Sequence, residues 1–185
     1  MDRPEIIIED SVENIGSITS PLMILYHMNF GFPLLDSESE LLVGRAKTIP
    51  RDEEAMKGFD NFSRFSEPIE QFKEKVYFHD IEADNQGNCN VALVNKAFNN
   101  GQGLGVAIKF NKNSLPYLIQ WKQMGAGEYV CGIEPANSLV RGRDIERKEK
   151  TLKFIKPGQK ISYRLEFNIL ESKKDINNFI NKYAK

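Results

Sequence analysis

LPYLIQWKQMGAGEYVCGIEPAN, residues 115–137, decides the fold, because it predicts two strands joined by a glycine-rich turn. The apolar and aromatic residues of LPYLIQW favour a strand. GAG then breaks the chain, and residues 128–134 predict the returning strand, which we expect Pro135 to end. Because side chains alternate along a strand, Glu134 shares one face with Gly132, whose missing side chain leaves room for a ligand.

Further strands are predicted on both sides of this stretch. Residues 21–30, PLMILYHMNF, alternate so that His27 faces away from Tyr26 and Met28 and predict one continuous strand. ISYRLEFNI alternates cleanly, whereas RGRDIERKEK predicts a solvated loop or strand edge. About nine strands with turns every 8–12 residues are typical of an antiparallel sandwich. We therefore expect an all-β fold, an antiparallel β-sandwich, with a short helix or a frayed tail in KKDINNFINKYAK.

Composition excludes several classes of protein. A length of 185 residues favours one domain over residues 1–185, and a net charge of −1 argues against nucleic acid or an anionic membrane as partner. No apolar run approaches the ~20 residues of a membrane span, so we expect a cytoplasmic protein. Cys89 and Cys131 lack the spacing of a metal site and are interpreted as reduced packing residues. We predict no metal and no cofactor.

Four stretches together resemble the aldose 1-epimerase (galactose mutarotase-like) superfamily, and a bacterial branch of it most closely. They are PLMILYHMNFGFPLLD, KVYFHDIEADNQGNCNVALVN, LPYLIQWKQMGAGEYVCGIEPAN with the following GR, and LKFIKPGQKISYRLEF. The resemblance implies that the sandwich is part of a larger β-supersandwich. It covers only the C-terminal part of a full-length member, so we expect the N-terminal half to be missing from this chain.

The resemblance also implies two catalytic residues, His27 and Glu134. Glu134 would be the general base toward the C1 hydroxyl of a sugar, and His27 the general acid toward the ring oxygen. Such a pair opens a cyclic hemiacetal without a metal, and each proton transfer contributes typically ~10²–10⁴-fold. The alternatives are a buried histidine satisfied by the backbone, and a strand-end carboxylate paired with Arg141 or Arg143.

Seven further residues are predicted to contact the sugar. An indole can stack on a sugar face, although a lone tryptophan also suits a core. The indole is that of Trp121, and Gln120 and Lys122, on the opposite strand face, could bind hydroxyls. His79 and Asp80 lie where mutarotases place a substrate-binding aspartate. Asn29 and Asn137 flank the catalytic pair.

The leading functional hypothesis is a mutarotase-like enzyme that acts on a monosaccharide or a sugar derivative. The alternatives are a non-catalytic carbohydrate-binding module and a truncated, inactive remnant. The first strand, EIIIEDSVEN, has three branched apolar residues in a row that upstream strands would normally cover. We therefore expect a homodimer, or completion of the fold by another chain.

Overall fold

The computed structural model describes residues 4–184, which form twelve β-strands and four short α-helices. The strands are β1 Glu5–Glu13, β2 Ser20–Leu22, β3 Met28–Phe30, β4 Ser39–Leu42, β5 Ala46–Pro50, β6 Lys75–Ile81, β7 Asn88–Asn95, β8 Leu104–Asn111, β9 Tyr117–Gly125, β10 Glu128–Ala136, β11 Lys153–Ile155 and β12 Lys160–Leu170. The helices are α1 Glu53–Met56, α2 Phe98–Gly101, α3 Arg143–Lys148 and α4 Lys173–Tyr183.

Two five-stranded antiparallel sheets form the sandwich. Sheet I has the order β1-β12-β8-β7-β4, and sheet II the order β3-β10-β9-β6-β5, while β11 and β2 form a separate pair. The main core lies between the two sheets and includes Leu93 and Phe110 from sheet I and Leu118 and Ile133 from sheet II. These contacts confirm the predicted all-β antiparallel sandwich.

The C-terminal helix is also confirmed. Ser172 caps α4 by accepting a hydrogen bond from the Asp175 N–H. Ile176 and Phe179, three residues apart, are buried against Val94 and Leu170 on the far side of sheet I. One side of sheet I is therefore covered by sheet II, and part of the other by α4.

The single strand predicted over residues 21–30 is wrong. The segment forms β2, which pairs with β11, and β3, which pairs with β10. Tyr26 donates its N–H to the carbonyl oxygen of Pro135 at 3.0 Å, but Pro135 has no N–H to return, so the ladder is interrupted. The register nevertheless continues from the Met28–Ile133 pair to a bridge between Leu25 and Ala136.

Three other features differ from the sequence predictions. Pro135 does not end β10, which runs on to Ala136. The charged stretch that predicted a loop contains α3, and the described strands outnumber the nine expected. Several of the additional strands are only three or four residues long, too short for a pattern of alternation to show.

Among the described residues, no helix has both the length and the apolar composition needed to cross a lipid bilayer.

Candidate active site

The candidate site lies on the outer face of sheet II, which we define as the face turned away from sheet I. β10 brings Gly132 and Glu134 to this face, and β9 brings Trp121, which is paired directly with Gly132. The chain just before β3 supplies His27, and Asn29 is paired with Gly132 on the other side. β9 is the central strand of sheet II, β10 lies next to it and β3 forms the edge, so pairing with β10 fixes the relative positions of the four side chains.

His27 and Glu134 are in contact although 107 positions separate them in the sequence. The continued register places them opposite each other, with His27 Nε2 3.0 Å from Glu134 Oε1. The His27 side chain is 45% exposed and the Glu134 side chain 4%. Despite this short distance, no aligned hydrogen-bond donor among the described residues reaches Oε1. The carboxylate is thus buried, close to an imidazole, and has unused acceptor capacity.

Burial changes the proton affinity of Glu134. Loss of solvent is the main cause and the negative charge of Glu74 the second, and together they raise the pKa of the Glu134 carboxyl to about 7. A carboxyl with this pKa is partly ionised at neutral pH and can both accept and release a proton there. General acid–base catalysis is most efficient when the pKa of the group is near the working pH.

Gly132 makes this arrangement sterically feasible. A Cβ at this position would overlap Glu134 Oε1, lie 3.2 Å from His27 Cε1 and lie 3.3 Å from Trp121 Cβ. The Glu134 side chain therefore lies over the space that a side chain at position 132 would fill. The predicted open space next to Glu134 is present, and the carboxylate itself occupies part of it.

Trp121 forms one wall of the site. Its ring centroid is 5.7 Å from that of His27 at an interplanar angle of 71°, an edge-to-face arrangement. Its Nε1–H donates to Glu74 Oε2 at 2.7 Å, and Glu74 Oε1 accepts from Arg51 Nη2 at 2.9 Å. Glu74 and Arg51 were not among the predicted site residues, because both belong to charged stretches in which nothing distinguishes them from solvated residues.

His79 and Gln120 are not part of this face, and their predicted contact with a sugar is corrected. Both are buried on the inner face of sheet II, where His79 Nε2 donates to Gln120 Oε1 at 3.2 Å and Thr48 Oγ1 lies 2.9 Å from His79 Nδ1. Gln120 donates in turn to the carbonyl oxygen of Phe62 at 2.8 Å. Burial lowers the pKa of His79 to about 4, so the ring is neutral and satisfied by the protein itself.

The predicted sugar contacts of Lys122 and Asn137 are also corrected, because both side chains are buried and hydrogen-bonded within the protein. The Lys122 ammonium donates to the carbonyl oxygens of Asn61 and Arg64, and burial lowers its pKa to about 8. Asn137 is buried and binds the backbone, since its Oδ1 accepts from the Ile24 N–H at 2.8 Å. Its Nδ2 donates to the Leu22 carbonyl oxygen at 3.1 Å. Neither side chain is free to bind a ligand.

Asp80 lies apart from the other candidates. It belongs to the outer face of β6, but four residues along the strand from Val76, which is paired with Trp121. Its carboxylate binds the Lys112 ammonium at 2.6 Å. Of the predicted site residues, the fold thus brings together His27, Glu134, Trp121 and Asn29, whose functional roles stay predictions.

Metal-binding chemistry finds no support in the described part of the chain. Residues 4–184 contain no group of three or more His, Cys, Asp or Glu side chains placed to hold one ion. Cys89 and Cys131 are both buried as free thiols in the core between the sheets. The absence of a metal and of a cofactor stays a prediction.

Comparison with protein families and curated sequences gives one match. A family model described as a domain of unknown function, DUF4432, matches residues 1–169. No curated protein matches the chain by sequence.

Solved structures give several matches. One from Klebsiella pneumoniae, assigned as an aldose 1-epimerase, is 28% identical with a TM-score of 0.91, over 97% of this chain and 46% of its own. A galactose mutarotase-like protein from Clostridium acetobutylicum is 19% identical with a TM-score of 0.60, over 89% of this chain and 52% of its own.

A galactose mutarotase related enzyme from Lactobacillus acidophilus is 12% identical with a TM-score of 0.61, over 91% of this chain and 58% of its own. The likenesses to the Clostridium and Lactobacillus proteins are similarities of fold alone. The chain spans about half the length of these three proteins.

Proposed function

Since this chain belongs to the DUF4432 family and is a partial member of the aldose 1-epimerase and galactose mutarotase-like superfamily, we propose that it binds a monosaccharide and interconverts its anomers. The site is the outer face of sheet II. The observation that carries the proposal is the contact between the buried Glu134 carboxyl and the half-exposed His27 imidazole, 3.0 Å apart.

The geometry of this pair suits the chemistry of a hemiacetal. The hydroxyl oxygen and the ring oxygen of a cyclic sugar are bonded to the same carbon, so the acid and the base must be close neighbours. Glu134 removes the proton of the C1 hydroxyl while His27 donates a proton to the ring oxygen, and the C1–O bond to the ring breaks. Rotation about the C1–C2 bond and the reverse transfers then give the other anomer, with both residues restored.

Binding would use the neighbours of this pair. Trp121 offers an aromatic surface next to His27, and aromatic rings combine apolar area with a defined orientation. Asn29 is exposed two residues after His27 on the same strand face and carries both a donor and an acceptor for hydroxyl groups. We propose a monosaccharide or a sugar derivative as the ligand, and the cytoplasm as the location.

Anomer exchange measured by NMR tests the proposal. A panel of aldoses is examined by exchange spectroscopy with and without protein, using the unaltered chain, His27→Asn and Glu134→Gln. Each substitution should lower the exchange rate by ~10²–10⁴-fold, the usual contribution of a general acid or base. The matched control is Glu128→Gln, an exposed glutamate at the other end of the same strand, which should leave the rate unchanged.

A non-catalytic carbohydrate-binding module is the second candidate. It is favoured by the Trp121 ring and the exposed Asn29 beside the pair, which can bind a sugar without any proton transfer. Saturation-transfer NMR distinguishes the two candidates. Sugar signals that depend on Trp121, without any faster anomer exchange, would replace the enzymatic proposal by the binding one.

We also propose that the chain associates with a second copy or another chain. β1 is an edge strand of sheet I, and Ile6 and Ile7 on it are 63% and 43% exposed. A free strand edge with exposed apolar side chains favours pairing with another chain. Light scattering on the purified protein should show a dimer, and a monomer at high concentration would contradict this.

A further inference from the structure

The charged residues next to the site, Arg51, Asp52 and Glu74, are joined to one another by hydrogen bonds and are not simply solvated. Arg51 donates from Nη2 to Glu74 Oε1 at 2.9 Å and from Nε to Asp52 Oδ2 at 2.7 Å. The backbone N–H of Arg51 also donates to the Val76 carbonyl oxygen at 2.9 Å, which ties the residue to sheet II. Asp52 is fixed in turn, since its Oδ1 accepts from the Ala55 N–H at the start of α1.

Glu74 connects these charged residues to the candidate site. Of its two carboxylate oxygens, one binds Arg51 and the other accepts the indole N–H of Trp121 at 2.7 Å. The hydrogen bonds from Arg51 and then from Trp121 lower the pKa of Glu74, so the carboxylate stays ionised at neutral pH. A charged acceptor gives the indole N–H a stronger bond than a neutral one would.

Trp121 is in contact with His27, one of the two groups proposed to react. Its ring packs edge to face on His27, and its own β-carbon lies against Gly132, over which the Glu134 side chain lies. A rotation of the indole would therefore remove the surface that limits the orientation of the His27 imidazole. Glu74 has a second effect through its charge, which helps to keep the Glu134 carboxyl protonated to higher pH.

We propose that Glu74, held by Arg51, is a positioning residue: it fixes the indole of Trp121 against His27 and thereby sets the orientation of the His27 imidazole beside Glu134. The inference builds on the proposed function. The proposed role of Glu74 is exerted through Trp121, since its two carboxylate oxygens bind Arg51 and the indole N–H.

Two substitutions separate the two effects of Glu74. Glu74→Gln removes the charge but keeps an oxygen that can accept the indole N–H, whereas Glu74→Ala removes both. Glu54→Gln is the matched control, because Glu54 is also an ion-paired carboxylate in this region but binds Lys75 and Lys57 instead of Trp121. The titratable and charged groups near Glu134 are His27 from the β3 side and Glu74 with Arg51 from the β6 side.

Spectroscopy tests positioning without any sugar. Trp121 is the single tryptophan, so acrylamide quenching of intrinsic fluorescence reports on it alone. Quenching should rise in Glu74→Ala, less in Glu74→Gln and not in Glu54→Gln. The chain has two histidines, and the one that is exposed, His27, should show a changed NMR line position in Glu74→Ala. Unchanged quenching and an unchanged His27 signal would overturn the inference.

Kinetics tests the charge effect. Both Glu74 variants should move the rise of the pH–rate profile of anomer exchange to lower pH. Glu74→Ala should also lower kcat roughly tenfold with little change in KM, less than the ~100-fold that a 1 Å misplacement can cost. A profile identical to that of the unaltered protein would refute the charge effect. If no variant and no unaltered protein exchanges anomers, the proposed function fails, while the fluorescence and NMR results still decide the positioning role.

Discussion

Glu134→Gln is expected to make the protein less sensitive to pH between about 4.5 and 7. The carboxyl has an ordinary pKa of 4.5 in the unfolded chain, and burial raises it to about 7 in the folded protein. Between these values the folded protein retains a proton that the unfolded chain has released. The free energy of unfolding therefore falls as the pH rises through this window, because stability decreases wherever the folded state binds more protons.

The magnitude follows from the same two values. Each pH unit of separation corresponds to about 1.4 kcal/mol, so the buried carboxylate lowers the free energy of unfolding by about 3 kcal/mol at and above pH 7. Glutamine carries no charge and has nearly the same shape, so Glu134→Gln avoids this loss. The variant should gain about 3 kcal/mol relative to the unaltered protein as the pH rises from 4.5 to 7.

Urea unfolding at a series of pH values measures this difference. The quantity to plot is the free energy of unfolding of Glu134→Gln minus that of the unaltered protein, which cancels the titration of all other groups that the substitution leaves alone. Glu128→Gln, with its exposed carboxyl, supplies a control curve that should be flat. A flat curve for Glu134→Gln as well would mean that the carboxyl is hydrated in solution and that burial does not perturb it.

Three further predictions concern residues near or beneath the site. Gly132→Ala should displace the Glu134 carboxylate and abolish anomer exchange, because the added methyl group overlaps it; exchange at the unaltered rate would contradict the packing described. Lys122→Met should remove a rise in stability between pH 8 and about 10.5, where the unfolded lysine binds a proton that the folded one has lost; denaturation at alkaline pH measures it. Asn137→Ala should cost ~1–3 kcal/mol in urea unfolding, because it leaves a buried carbonyl at residue 22 and a partly buried N–H at residue 24 without partners, and a smaller loss would mean that water replaces the amide.

Alternation predicted the faces of the strands better than their ends. Tyr26 and Met28 pack against the core and His27 faces the other way, as expected from a period of two. The strand itself is interrupted, because Pro135 on the partner strand has no N–H for the Tyr26 carbonyl. Such an interruption depends on which residues of two distant segments become partners, and a pattern read along one segment does not contain it.

Alternation also assigns the polar candidates to strand faces without showing which face a ligand can reach. Trp121 and Lys122 are neighbours in one strand, and alternation predicted correctly that they lie on opposite faces. It could not show which of the two faces is open, because the inner one is closed by the segment around Phe62 and Arg64, far away in the sequence. Polar side chains on that face therefore bind backbone carbonyls and have no access to a ligand.

The strand that directly follows His27 has a consequence for the dynamics of the site. β3 is an edge strand of sheet II with three paired residues, and Glu134 lies on β10, which is paired along its length with β9. A short edge strand opens with a smaller free energy than the sheet as a whole, so His27 can leave Glu134 by local unfolding while the core stays intact. Amide hydrogen exchange at Met28 and Phe30 would then be faster than in β9, and the population of the closed β3 would set the fraction of molecules in which the two groups are in contact.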